Sequence, residues 1–308
     1  MSPVHLPAMV NEVVEYLRPA EGMTFLDMTL GMAGHTIQLV QHGAFVVGLD
    51  RDAESLSRAA AALGDLKQRV LLIHGRMSQA EELLEERGIG SVDGCLIDAG
   101  ISMDVLRDPV RGFSVDSEQS LDMRMDRSDA TSLTASRVVN EYLEKDLARI
   151  FAGIGRGREA HKVAARIARA RERSAIQSTA QLADIIAAAV AGVRPVRRID
   201  AAPYLMAIRS AVNEELPELE AGIEAAFRLL SSRSRLVVLS WNGAEHRVSR
   251  QLLRRLANPC QCPPALPCTC DKKPVIKVLT PKPLYPTAEE VSANPAARSV
   301  RLHAAEKL

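Results

Sequence analysis

The chain has 308 residues, 47% of them hydrophobic and 25% charged, a globular composition that excludes wholesale disorder and a disulfide-built miniprotein. Lys and Arg number 39 against 38 Asp and Glu, so bulk charge does not announce a nucleic-acid binder and any basic surface must be local. Aromatic residues make up only 3%, which argues against a recognition surface of stacked bases.

The first hundred residues alternate strand and helix. Thr24–Asp27 reads as a strand, followed by a Gly-bearing turn and a helix over His35–Gln41. Ala44–Asp50, Val70–His74 and Gly94–Asp98 read as further strands, with helices over Ala53–Leu63 and Ser78–Glu86 between them. This βα series predicts a parallel sheet covered by helices on both faces. Ser102 to about Met125 is polar and reads as a long loop. Helical periodicity follows at Ala135–Ile154, Ala160–Arg173, Thr179–Val193 and Tyr204–Leu230, with Ser178 or Thr179 as N-cap of the third and a break at Arg194–Asp200. Arg235–Trp241 returns as a buried strand, Val248–Leu256 as a helix, and Val275–Leu279 with Ser299–His303 as a final strand pair. The fold class expected is α/β, a doubly wound sheet interrupted by an inserted helical domain. The expected boundaries are residues 1–104 with 216–308 for the sheet domain and 105–215 for the insertion.

The chemistry concentrates at strand ends. Asp27 closes the first strand and leads into Thr29-Leu30-Gly31-Met32-Ala33-Gly34-His35-Thr36, where a glycine turn and a helix N-terminus offer backbone N–H groups to a ligand. Asp50 closes the second strand, where an acid accepts the hydroxyls of a ribose. Gly31 and Gly34 do not give the spacing of a dinucleotide fingerprint, which counts against a nicotinamide dehydrogenase. An acid on the first strand sits badly beside a pyrophosphate and well beside a sulfonium and an amino group, so S-adenosylmethionine fits better than NAD. Asp98 closes the fourth strand, where a carboxylate can orient an exocyclic amine. In the following loop, Phe113 is placed to lie against a base, and Arg124 to hold a phosphate or pair with Asp122.

Ordered segments along the chain carry a specific resemblance. They are His5-Leu6-Pro7-Ala8-Met9, Asp27 to Thr36, Asp50-Arg51-Asp52, His74-Gly75, Asp93-Gly94, Arg111-Gly112-Phe113-Ser114, Leu121-Asp122-Met123-Arg124-Met125-Asp126, Arg209 with Val212-Asn213 and Glu215-Leu216, and Asn294-Pro295 with Arg298-Ser299. The chain resembles the ribosomal RNA small-subunit methyltransferase H family. That resemblance implies a class I (Rossmann-like) S-adenosylmethionine-dependent methyltransferase that methylates N4 of a cytidine in 16S rRNA of the small ribosomal subunit. It implies cofactor contacts at Ala33, Gly34, His35, Asp50, Met77, Asp98 and Val105; the place of Asp98 at the end of the fourth strand makes it the candidate catalytic group.

The chain also departs from the family. Ala33 stands where glycine is usual, Met77 replaces an aromatic residue, and Val105 replaces a glutamine. Gly155-Arg156-Gly157-Arg158 loses two acids, Ile199 to Met206 loses nearly every polar group, and Trp241-Asn242-Gly243-Ala244-Glu245-His246-Arg247 replaces a Phe-His-Ser-Leu-Glu-Asp-Arg run. Those losses motivate an alternative: a non-catalytic RNA- or ribosome-binding paralogue on a methyltransferase scaffold.

Two features stand apart. Along Gly155–Arg173, Lys162, Arg166, Arg169 and Arg173 share a helical face suited to phosphates, or simply to water. Four of the five cysteines, Cys260, Cys262, Cys268 and Cys270, cluster in a proline-rich segment. Cys-x-Cys pairs are not the usual Cys-x-x-Cys zinc knuckle, so the expectation is a reduced, proline-stiffened loop without metal, against a four-thiolate zinc site. No apolar run approaches the roughly 18–20 residues that span a bilayer, and Met1-Ser2-Pro3-Val4-His5 lacks the character of a signal peptide. The expected compartment is the cytoplasm, with no membrane partner; monomer and homodimer stay open.

Overall fold

The computed structural model describes residues 7–128, 130–153, 157–191, 195, 197–260, 262 and 269–308. His5, Leu6, Ile154, Gly155, Arg156, Val193, Arg194 and Cys268, all singled out above, lie outside the described residues. The chain forms two units, one comprising the chain through Gly100 together with Leu216–Leu308, the other Ile101–Glu215.

In the first unit α1 (Val10–Leu17) precedes β1 (Thr24–Asp27), α2 (Gly34–Gln41), β2 (Phe45–Asp50), α3 (Ala53–Leu63), β3 (Val70–His74), α4 (Ala80–Glu85) and β4 (Val92–Asp98). The second unit holds α5 (Met103–Arg107), α6 (Ala135–Glu141), α7 (Glu144–Ala152), α8 (Gly157–Arg171), α9 (Thr179–Val190) and α10 (Ala202–Asn213). From α11 (Glu215–Leu229) the chain returns to the first unit with β5 (Leu230–Ser240), α12 (Gly243–Ala257), β6 (Ile276–Val278), α13 (Ala288–Ala293) and β7 (Arg301–Lys307).

The sheet runs β3-β2-β1-β4-β5-β7-β6. β1 to β5 are parallel, and β7 is antiparallel to both β5 and β6. This is the doubly wound α/β sheet expected from the sequence. Its strands are buried on both faces: Val46 and Val47, pointing to opposite sides, are both fully covered, as a parallel sheet between two helical layers requires. Strand order reverses between β1 and β4, the place where such sheets open a ligand crevice at their carboxyl ends. Asp27, Asp50, His74 and Asp98 end the four strands around it.

Several elements differ from the sequence expectation, each for a local reason. The loop after β4 contains α5, started by Ser102, whose hydroxyl accepts from the Val105 amide. The helix expected over Ala135–Ile154 divides because Tyr142 and Leu143 are extended, and Glu144 and Asp146 favour a new N-terminus. The long helix expected over Tyr204–Leu230 is α10 and α11. Glu214 takes a left-handed conformation (φ 52°) between them, and Pro217, without an N–H, sits in the first turn of the second helix. The Ser178 hydroxyl caps α9, accepting from Gln181 N–H as expected. α12 starts at Gly243 rather than Val248 because Asn242 and Glu245 form a capping box. α1 and α13 have no counterpart in the sequence reading.

The helical unit has its own core. Phe151 and Tyr204 meet edge to face at 5.4 Å within it, surrounded by Val138, Ile167 and Ile208. Tyr204 Oη donates to Glu159 at 3.1 Å. Part of the apolar character of Ile199 to Met206 therefore has a packing cause: Ala201, Tyr204 and Leu205 are buried in that core, whereas Ile199 and Met206 are exposed.

Candidate active site

The turn after β1 is held from within. Asp27 is almost fully buried; it accepts from Thr36 Oγ1 at 2.7 Å and from Thr29 N–H at 3.1 Å. Burial pushes its carboxyl above the usual range, and the Thr36 bond and His35 work against that rise. Both Asp27 oxygens thus brace the turn. Gly31 and Ala33 both have positive φ, 51° and 60°, a conformation natural for glycine and strained for alanine. Gly34 packs closely on the Pro7 ring, which a Cβ there would approach to 3.1 Å. No side chain caps the N-terminus of α2, which leaves its first-turn N–H groups to other acceptors.

Asp50 ties two turns together, with one oxygen accepting from Gly31 N–H and the other from Asp52 N–H, both at 2.8 Å. Burial pushes its carboxyl up to about 6 in spite of those two bonds. Beyond β3, Met77 opens a short 3₁₀ turn over Met77–Gln79. Its side chain lies against α11 at Gly222, where a Cβ would approach Met77 Cβ to 2.9 Å. Glu218 from the same helix fixes this turn, accepting from Ser78 N–H at 3.2 Å and Ser78 Oγ at 2.9 Å and pairing with Arg76 at 3.4 Å.

Asp98 is gripped from two sides. The Trp241 indole Nε1–H donates to Oδ1 at 2.7 Å, and His35 Nδ1 stands 3.7 Å from Oδ2. His35 Nε2 is 2.8 Å from the Ala8 carbonyl, so this nitrogen carries a proton and Nδ1 is the atom turned toward Asp98. The Asp98 amide donates to Thr29 Oγ1 at 2.6 Å. Trp241 follows β5 directly, and its indole passes Gly100, where a Cβ would come within 3.3 Å of the ring. Gly100 also has φ 128°, so the backbone demands glycine and the indole leaves little room for a side chain.

Of the residues expected to hold the cofactor, Asp50 and Asp98 end β2 and β4, Ala33, Gly34 and His35 lie where the turn after β1 enters α2, and Met77 lies just past β3. Val105 belongs to the helical unit, where it is buried with Phe113, Leu121 and Met123. Trp241, Thr29 and Glu218 were missed. Trp241 had a signal, as the single tryptophan of the chain placed just past a strand.

The loop before α6 is a knot of polar contacts. Arg124 makes a two-pronged pair with Asp122 at 2.7 and 2.9 Å and reaches Ser132, so of its two expected roles the structure has the ion pair. Arg111 is fully buried and donates to Met125 O at 2.9 Å. Asn213 binds Met123 O and Met125 N–H. Within this unit Phe113, Met123, Leu205, Met206 and Arg209 line a cavity of about 460 Å³. Arg209 is held there by Glu215 at 2.7 and 2.8 Å. Lys162, Arg166, Arg169 and Arg173 are all exposed.

The residues present fit a nucleoside bearing an amino acid: a half-buried carboxylate for hydroxyls at Asp50, a soft apolar surface at Met77, and uncapped helix amides at α2 for a carboxylate.

Comparison with known proteins covers the whole chain. Ribosomal RNA small subunit methyltransferase H of Geotalea uraniireducens (strain Rf4) is 41% identical over 99% of this chain and 98% of its own. The protein of the same name from Carboxydothermus hydrogenoformans (strain ATCC BAA-161 / DSM 6008 / Z-2901) is 39% identical over 99% and 98%. Among solved structures, an rRNA methylase from Streptococcus thermophilus aligns with a TM-score of 0.42 at 10% identity, covering 97% of this chain and 93% of that one. The MraW methylase family matches residues 2–308, so the strand-end acids, the helical insertion and the closing antiparallel strands all fall within one match: the chain belongs to the MraW methylase family.

Proposed function

We propose that the protein transfers a methyl group from S-adenosylmethionine to the N4 amine of a cytidine in 16S rRNA of the small ribosomal subunit, in the cytoplasm. The observation that carries this reading is Asp98, a strand-end carboxylate beside the glycine turn with one oxygen fixed by the Trp241 indole. Membership of a methylase family and the names of the relatives support the reaction class. Bound, the cofactor supplies an electrophilic methyl group on a sulfonium centre.

The chain's own residues do the rest. Asp50 accepts the ribose hydroxyls, Met77 packs against the adenine, and the first turn of α2 with His35 receives the amino acid end. Asp98 accepts one amino hydrogen of the cytosine, which directs the nitrogen lone pair, and stands ready for the proton that nitrogen releases on methylation. No covalent enzyme intermediate is needed; alignment supplies most of the acceleration. The target base must leave its stack to reach such an edge, and the exposed cations of α8 offer phosphate contacts to the surrounding RNA.

The scaffold alternative rested on the rewritten segments near Ala201–Met206 and Asn242–Ala244. Core packing gives Ala201, Tyr204 and Leu205 a structural role in the first, and helix capping gives Asn242 one in the second, which supports the catalytic reading over the scaffold one. The test is methyl transfer from labelled S-adenosylmethionine to unmethylated 30S subunits, with the product mapped to cytidine N4. We expect transfer by the wild type and a kcat at least about 100-fold lower in Asp98→Asn, with binding to 30S subunits unchanged. Micromolar cofactor binding without transfer by the wild type would overturn the assignment.

A further inference from the structure

We propose that Cys260, Cys262 and Cys270 bind a single zinc ion that fastens the excursion between α12 and β6. Their three sulfur atoms all lie within 4.8 Å of one another. Sulfur ligands of one tetrahedral zinc, each about 2.3 Å from the metal, stand roughly 3.8 Å apart, so small side-chain adjustments bring the three onto one ion. An iron–sulfur cluster gives each thiolate its own iron and holds the sulfurs further apart.

The convergence is built by distant parts of the segment. Cys260 and Cys262 lie on its outgoing limb just past α12, and Cys270 lies on the returning limb, followed by Asp271 in a left-handed conformation (φ 48°). Cys262 Sγ and Thr269 Oγ1 are 4.0 Å apart, so the limbs meet at this level. At the base of the excursion Val275 N–H donates to Leu256 O at 3.2 Å.

The environment of the thiols suits a metal better than a core. Cys95 shows the ordinary state of a structural cysteine: it is fully buried in the sheet, and burial holds its thiol well above the usual range. Cys260 is exposed, and Cys262 and Cys270 are half-buried. Burial of thiol surface therefore gives no reason for three cysteines here. In a reducing compartment, soft thiolates converging on one point select zinc. Cys268, the remaining cysteine of the segment, lies outside the described residues.

The test is the metal content of the full-length protein, purified under reducing conditions without chelator and measured by plasma mass spectrometry. We expect about one zinc per chain in the wild type and in Cys95→Ala. The triple variant Cys260→Ser/Cys262→Ser/Cys270→Ser should hold less than a tenth of that. Should the triple variant fail to fold, cobalt replacement of zinc in the wild type gives a second reading, with sulfur-to-cobalt charge-transfer absorption expected. The proposal is overturned by a wild type that stays metal-free after incubation with equimolar zinc. It is equally overturned by zinc retained in a folded triple variant, by bound cobalt without charge transfer, or by a metal-free protein whose clustered cysteines resist alkylation until reduced.

Discussion

Asp98 has two oxygens and two unlike neighbours. The indole of Trp241 fixes one at hydrogen-bond distance, while the other faces His35 across 3.7 Å and is the one that would accept from the amine in the proposed reaction. Trp241→Phe keeps an aromatic ring, a smaller one, and removes the N–H that holds Asp98. A hydrogen bond to a charged group contributes about 1.5–3 kcal/mol, and we expect kcat to fall roughly tenfold with cofactor Kd within about threefold, read by steady-state assay and calorimetry. Asp50 gives a pH signature. Burial raises its carboxyl to about 6, above the unfolded value, so the proton-bound form is favoured in the folded state and the charged form costs stability as pH rises through about 6. For ligand binding the sign is opposite, because the ionised carboxylate is the better acceptor for two ribose hydroxyls. Cofactor affinity should fall as pH drops from 7.5 to 5, with a midpoint near 6, and calorimetry of Asp50→Asn should lose that dependence. The strand-end acids were legible because an acid closing an apolar strand stands out in the sequence. Trp241 was not, because its meaning lies in Asp98, far away in the chain and next to it only across paired strands.

Helix and strand boundaries tell a similar story at the scale of elements. β1, α3 and β3 match their sequence expectation residue for residue, because apolar runs bounded by polar turns give both type and limits. The misread helices all break at backbone conformations that composition barely marks: two extended residues between α6 and α7, and one left-handed glutamate before α11. The start of α12 was hidden for a different reason. Trp241-Asn242-Gly243-Ala244-Glu245 looks like a lost functional segment, yet Asn242 accepts from Ala244 N–H and Glu245 N–H at 2.9 and 3.1 Å. Glu245 in turn accepts from Trp241 N–H at 2.7 Å and Asn242 N–H at 3.2 Å. The box therefore sets the backbone from which the Trp241 indole reaches Asp98. Asn242→Ala should cost about 1–2 kcal/mol, a fall of several degrees in Tm by calorimetry, together with a smaller loss of kcat than Trp241→Phe.

For the molecule as a whole, near-neutral charge conceals a local basic face. Lys162, Arg166, Arg169 and Arg173 are exposed along and just past α8, and only the arrangement of charges, not their sum, bears on RNA. Replacing Lys162, Arg166 and Arg169 by alanine should weaken 30S binding and flatten its dependence on log salt concentration by about 0.7–0.9 for each phosphate no longer neutralised. Filter binding across a salt series measures it, and a slope identical to wild type would place the RNA elsewhere.

The helical unit enters the chain between β4 and β5, which are hydrogen-bonded neighbours in the sheet. On a translating ribosome, β4 therefore emerges with no strand beside it on that flank until the whole stretch from Ala99 to Leu229, the insertion and α11, has been made. At roughly 5–20 residues per second, that interval lasts on the order of ten seconds. Throughout it the nascent sheet presents an open edge, a hazard for wrong pairing with other chains. The insertion, with its own apolar core, can collapse during that wait, before β5 arrives. Destabilising the insertion, as by Tyr204→Ala, should thus appear first as aggregation during synthesis and only second as loss of activity in the mature protein.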